Sequence, residues 1–125
     1  MTRTLVAEDD IDLLEYVSLV LARAGHDVCQ ARDGAEAIAA LDESVFDLVV
    51  TDHHMPHRTG REVLGHLAGK GLPTKALLMS ADHYLTDDAE LVGTIDAFLP
   101  KPFKRGALLE AVDVMVGSRP LPQDA

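Results

Sequence analysis

Asp47-Leu48-Val49-Val50-Thr51, with Asp52 directly after it, decides how this chain is read. Successive side chains of a strand point to opposite faces, so a half-exposed strand alternates apolar with polar. This one is apolar on both faces, as a central strand of a covered parallel sheet must be. Further strand-like runs over 4–7, 27–31, 76–79 and 97–99 flank it on either side. Between them lie segments whose apolar residues are spaced by three and four, the period of a helix with one buried face. The first carries Leu13, Leu14, Val17, Val20, Leu21 and Ala24 and stops at Gly25. The second opens at Asp33, with Glu36 spaced for a capping box, and carries Ala37, Ile38, Ala40 and Leu41. A third follows Gly60 with Val63, Leu64, Leu67 and Ala68; a weakly amphipathic fourth covers 85–93; a last one carries Leu108, Leu109, Val112 and Met115. Five strand–helix repeats predict an α/β fold, a five-stranded parallel sheet with helices on both faces.

At 125 residues the chain has room for one domain, expected over 1–118, with a proline-containing tail or start of a linker over 119–125. No run approaches the roughly 18 apolar residues of a membrane span, and the N-terminus lacks a secretory signal, so a cytoplasmic protein is expected. Cys29 is the only cysteine, which excludes an internal disulfide and a thiolate metal cage and leaves it the reading of a small buried hydrophobe. Eleven Lys and Arg against 21 Asp and Glu give a net charge of −10, which repels phosphate backbones and argues against direct binding of nucleic acid.

In open parallel sheets the reactive crevice lies beyond the carboxyl ends of the strands. Here those ends run into Glu8-Asp9-Asp10, Asp52, Ser80 and Pro100-Lys101-Pro102. Carboxylates about 5 Å apart repel by roughly 3 kcal/mol per pair at an effective dielectric of about 20, so the cluster calls for a cation. Hard oxygen ligands open to water favour Mg²⁺, which commonly bridges carboxylate to phosphate. Asp52 is then placed as a nucleophile toward phosphorus, Lys101 as a neutralising charge and Ser80 as a hydroxyl donor to a phosphoryl oxygen. Asp10 reads instead as a helix N-cap.

With these pieces assembled, the chain resembles the receiver domains of two-component response regulators. The resemblance runs over residues 4–117 through Leu5-Val6-Ala7-Glu8-Asp9-Asp10, Asp47 to Pro56, Leu77-Leu78-Met79-Ser80-Ala81 and Phe98-Leu99-Pro100-Lys101-Pro102-Phe103. It implies the flavodoxin-like strand order 2-1-3-4-5. It further implies that Asp52 accepts phosphate from a histidine kinase or phosphotransfer protein. Mg²⁺ would be held by Asp52, by Asp9 directly, by Glu8 mostly through water, and by the backbone carbonyl of His54. Ser80 and Lys101 would contact the phosphoryl group, Phe98 would be an aromatic switch residue coupled to Ser80, and the Lys101–Pro102 bond would be cis. The face of helix four, strand five and helix five would then change its contacts with a downstream protein or effector domain, or with a second copy in a phosphorylation-dependent homodimer.

His53 stands where the family usually has an apolar residue, and Thr59 where it has an acid shortly before the glycine. His54 and Asp82, two residues beyond Asp52 and Ser80, occupy positions that in this family tune the lifetime of the acyl phosphate. His53, His54 and His57 have poor spacing for a transition-metal site, and His26, His66 and His83 are expected on the surface. The expected activity is self-phosphorylation in a switch, not enzymatic turnover. A pseudo-receiver acting only as an interaction module is the alternative. A small phosphatase of the haloacid dehalogenase type would need an acid where His54 stands.

Overall fold

The structure is a computed structural model that describes residues 2–116; the expected tail over 119–125 lies outside the described residues. Five strands, β1 (Thr2–Ala7), β2 (His26–Ala31), β3 (Leu48–Asp52), β4 (Lys75–Ser80) and β5 (Ala97–Pro100), form one parallel sheet in the order β2-β1-β3-β4-β5. The helices are α1 (Ile11–Arg23), α2 (Gly34–Glu43), α3 (Gly60–Gly69), α4 (Ala89–Val92) and α5 (Arg105–Val116), with a 3₁₀ turn over His83–Asp87 ahead of α4. Both the strand order and the flavodoxin-like architecture are those expected.

Alternation along the central strands splits the core in two. Leu5, Ala7, Val49, Ala76 and Leu78 face one way, onto Leu41, Val63, Leu64, Leu85 and Leu91 of the layer containing α2, α3 and α4. Val6, Leu48, Val50, Leu77 and Met79 face the other, onto Leu14, Val17, Leu21, Leu108 and Val112 of α1 and α5. Each fully buried aliphatic side chain contributes about 1.5–3 kcal/mol, and with both faces covered β3 is buried along its whole length.

Several local expectations need correction. The segment 85–93 is not one helix. Asp88 is extended (ψ 100°) and accepts from the Leu91 N–H, so it ends the 3₁₀ turn and caps a four-residue α4 in place of continuing a helix. Asp33 caps α2 through the Glu36 N–H, but Glu36 reaches back to the N–H of Arg32, one residue further than a capping box requires. The full capping box is at α3, between Thr59 and Glu62. Cys29 is half-buried because β2 is an edge strand. His26 and His66 are also half-buried, His26 against the Thr4 hydroxyl at 2.8 Å and His66 against Asp42 at 2.8 Å; the His83 side chain lies outside the described residues.

Candidate functional site

Strand ends place the acidic residues. The Glu8 N–H donates to the Ala31 carbonyl at 3.1 Å, prolonging the β1–β2 pairing by one residue and turning the Glu8 side chain into the protein, where it is 1% exposed. Asp9 faces solvent. Asp10 caps α1 by accepting from the N–H groups of Asp12 and Leu13, as expected. Asp52 is the last residue of β3, opposite Met79 of β4, and is 5% exposed. The Lys101 N–H donates to the Ser80 carbonyl at 2.9 Å, which anchors the backbone that carries the Lys101 ammonium. The following Lys101–Pro102 bond is cis.

These elements bring Glu8, Asp9, Asp52 and Lys101 together. Lys101 Nζ donates to Glu8 Oε1 at 2.8 Å and lies 2.9 Å from Asp52 Oδ1. Glu8, Asp9 and Asp52 each offer a carboxylate oxygen, all within 4.8 Å of one another. Burial pushes the Glu8 carboxyl above its usual range, and the Asp52 charge adds to this, against the opposing Lys101 hydrogen bond. Burial pulls Lys101 down, but its bonds to Glu8 and Asp52 outweigh that and hold its pKa above the ordinary value. One ammonium thus faces three carboxylates. The remaining negative charge and the all-oxygen donor set fit a hard divalent cation such as Mg²⁺. Among the described residues His53, His54 and His57 do not form a comparable group.

The other residues singled out from the sequence lie at or beside the same edge. Ser80 ends β4 fully buried, and its Oγ accepts from the Asp82 N–H at 3.0 Å. The His54 side chain is exposed and its Nε2 contacts the Asp82 carboxylate, which also accepts from the Tyr84 hydroxyl at 3.4 Å. That contact holds Asp82 below its usual pKa. Phe98 is half-buried on β5, paired with Leu78, and packs on the cluster beneath α2, α3 and α4. A cleft of about 570 Å³ adjoins the cluster, with Asp10, Leu13, Tyr16, Lys101, Pro102 and Phe103 in its wall.

Some supporting residues carried little or no sequence signal. A Cβ on Gly60 would lie 2.3 Å from the Asp52 carbonyl oxygen, and the Gly60 N–H donates to the His53 carbonyl at 2.8 Å. Only glycine lets α3 start this close to Asp52. His57, at φ 71°, takes the left-handed conformation within the intervening loop. His53 is half-buried with its Nδ1 unpartnered, and burial lowers its pKa. Arg61, which contacts Asp88 and Glu90, has both partners far along the chain.

Comparison with known proteins agrees with this architecture. The family model described as the response regulator receiver domain matches residues 4–113. The transcriptional regulatory protein TcrA of Mycobacterium tuberculosis is 33% identical over 97% of this chain and 48% of its own length. The response regulator protein PmrA of Pseudomonas aeruginosa is 36% identical over 97% of this chain and 57% of its own. The chain therefore spans about half the length of these curated relatives. Among solved structures, the receiver domain of Francisella response regulator 1452 superposes with a TM-score of 0.86 at 26% identity, covering 96% of this chain and all of that one. TrrA of Thermotoga maritima, solved in complex with Mg²⁺-BeF, gives 0.86 at 28% identity, covering 93% of this chain and all of that one.

Proposed function

This chain belongs to the response regulator receiver family, and from that membership we propose that it is a phosphorylation-driven switch whose acceptor is Asp52. The observation that carries the reading is the Lys101 ammonium bridging buried Glu8 and Asp52 beside a third carboxylate, Asp9. A histidine kinase or phosphotransfer protein would be the donor. The Asp52 carboxylate attacks the phosphorus of a phosphohistidine, an O–P bond forms as the P–N bond breaks, and the imidazole leaves; the product is a mixed anhydride on Asp52. Glu8, Asp9, Asp52 and the backbone carbonyl of His54 would hold Mg²⁺, Glu8 mostly through water. When bound, the ion supplies positive charge against the phosphoryl oxygens.

Lys101 keeps its ammonium at Asp52 and pairs with the transferred group. The Asp82 N–H occupies one lone pair of Ser80 Oγ, which leaves the hydroxyl proton free to donate to a phosphoryl oxygen. Movement of Ser80 toward that group makes room for Phe98, and the surface of α4, β5 and α5 changes its partners. Those partners are a downstream protein or effector domain, or a second copy of the chain. His54 and Asp82 set how long the anhydride lasts. With Nε2 held by Asp82, the imidazole would shield the anhydride and would not activate water through that nitrogen. The reaction is self-modification in a signalling domain, placed in the cytoplasm.

The test is direct. Incubation with acetyl phosphate or phosphoramidate and Mg²⁺ should add one phosphoryl group to the intact mass, and neither Asp52→Asn nor chelator-treated protein should gain it. Modification of Asp52→Asn to the same extent would overturn the assignment. A pseudo-receiver would show no gain in any of the three.

A further inference from the structure

The first turn of α3 is fixed to the acceptor. Gly60 has no clearance from the Asp52 carbonyl and is hydrogen-bonded to His53, so Arg61 projects from a base that cannot shift independently of Asp52. Its guanidinium forks across two carboxylates of the neighbouring unit, Nη2 to Asp88 Oδ2 and Nη1 to Glu90 Oε1 at 3.2 Å. That unit needs a cation from elsewhere. It carries Asp82, Asp87, Asp88 and Glu90, and no Lys or Arg occurs between Lys75 and Lys101.

Its helix also has little of its own to hold it in place. Helix α4 is a single turn, too short to propagate past its nucleation cost, and Leu91 is its buried residue. Asp88 both caps α4 through the Leu91 N–H and receives Arg61, so one side chain links the start of the helix to α3. An isolated surface ion pair contributes little, but a forked guanidinium shared between two acids is the network geometry in which such pairs count. A dianionic phosphoryl group on Asp52 would draw on the guanidinium that Asp88 and Glu90 hold.

We propose that Arg61 is an electrostatic latch that fixes α4 in the arrangement of the unphosphorylated protein and is weakened when Asp52 carries a phosphoryl group. The inference rests on the acceptor role of Asp52. Linkage gives it a measurable form: a contact that favours the unphosphorylated arrangement must lower the affinity for a phosphoryl mimic by the factor with which the mimic weakens the contact.

The experiment titrates the full chain with beryllofluoride in the presence of Mg²⁺, following binding by calorimetry and amide exchange over 83–93 by mass spectrometry. Arg61→Gln should bind the mimic about two- to fivefold more tightly than wild type and exchange faster over 83–93 before any mimic is added. Glu90→Gln should move both readouts the same way by less, and it guards against misfolding of the first variant because Glu90 is exposed. Arg58→Gln, which removes another surface ion pair, with Glu62, should change neither. Unchanged or weaker affinity in Arg61→Gln and Glu90→Gln, with wild type binding normally, overturns the latch and leaves the acceptor role standing. No binding by wild type overturns the acceptor role and the latch with it.

Discussion

Lys101 and Glu8 stand 93 residues apart in the sequence and 2.8 Å apart in the structure, and the same ammonium reaches Asp52 at 2.9 Å. The contact is what makes a buried glutamate tolerable beside a second buried acid. It also fixes the ammonium at the oxygen that the proposed chemistry uses.

Replacing that ammonium should therefore separate chemistry from folding. Lys101→Met is expected to remain folded by circular dichroism and to lower the rate of Asp52 phosphorylation by acetyl phosphate about 100-fold, the scale associated with losing one preorganised electrostatic contact. A rate within twofold of wild type would remove Lys101 from the mechanism.

The pH dependence of stability follows from the direction of two shifts. Glu8 has a folded pKa above its ordinary 4.5, so between the two values the native state holds a proton that the unfolded chain has lost. Metal-free stability attributable to Glu8 thus falls as pH rises through that window. Lys101 is raised above 10.5, so its contribution is complete below 10.5 and is lost as pH climbs through the folded value. Glu8→Gln should remove the first slope and stabilise the metal-free protein near neutrality by about 1 kcal/mol, since Lys101 keeps Asp52 as partner. Urea unfolding from about pH 4 to pH 8 reads the Glu8 slope and its loss in the variant, and a variant that parallels wild type throughout would contradict the assignment.

Metal linkage tests the exposed acid. Mg²⁺ at 100 times its dissociation constant should stabilise the wild type by about 2.7 kcal/mol, and a chelator should reverse this. Asp9→Asn should unfold like wild type without metal, because Asp9 is exposed, and should lose most of the Mg²⁺-dependent gain. An equal gain in both proteins would place the ion elsewhere.

For the lifetime of the modified state, His54→Ala is the informative change. Its side chain is exposed and contacts Asp82, so its loss would remove the proposed shield without emptying the core. The anhydride should decay severalfold faster than in wild type, read as loss of the phosphorylated mass after the donor is removed. Identical decay would discard any role for the imidazole.

Much of this was legible because parallel sheets align strand ends. Glu8, Asp52, Ser80 and Lys101 each follow or close an apolar run, so identifying the runs placed the residues at one edge. Segment 85–93 was not legible in the same way. Leu85 and Leu91 suit a 3₁₀ turn plus a short helix as well as one helix, and the deciding feature is the side chain of Asp88 turning back to cap Leu91. Glu36 shows the limit of a spacing rule, since the N–H groups of Arg32 and Asp33 are adjacent and the spacing does not choose between them. Arg61 left no local trace because one of its acids lies 29 residues downstream. The absence of basic residues between Lys75 and Lys101 was the available hint.

The brevity of α4 sets the cost of changing the surface it helps to form. A one-turn element with a single deeply inserted leucine gives up few hydrogen bonds and little apolar contact when it opens, so its local unfolding equilibrium lies far closer to balance than that of β3. Inputs too weak to disturb the sheet suffice to remodel it. If Asp52 is the acceptor, as proposed, a protein that docked on this region and drew it toward another shape would by reciprocity favour the modified state.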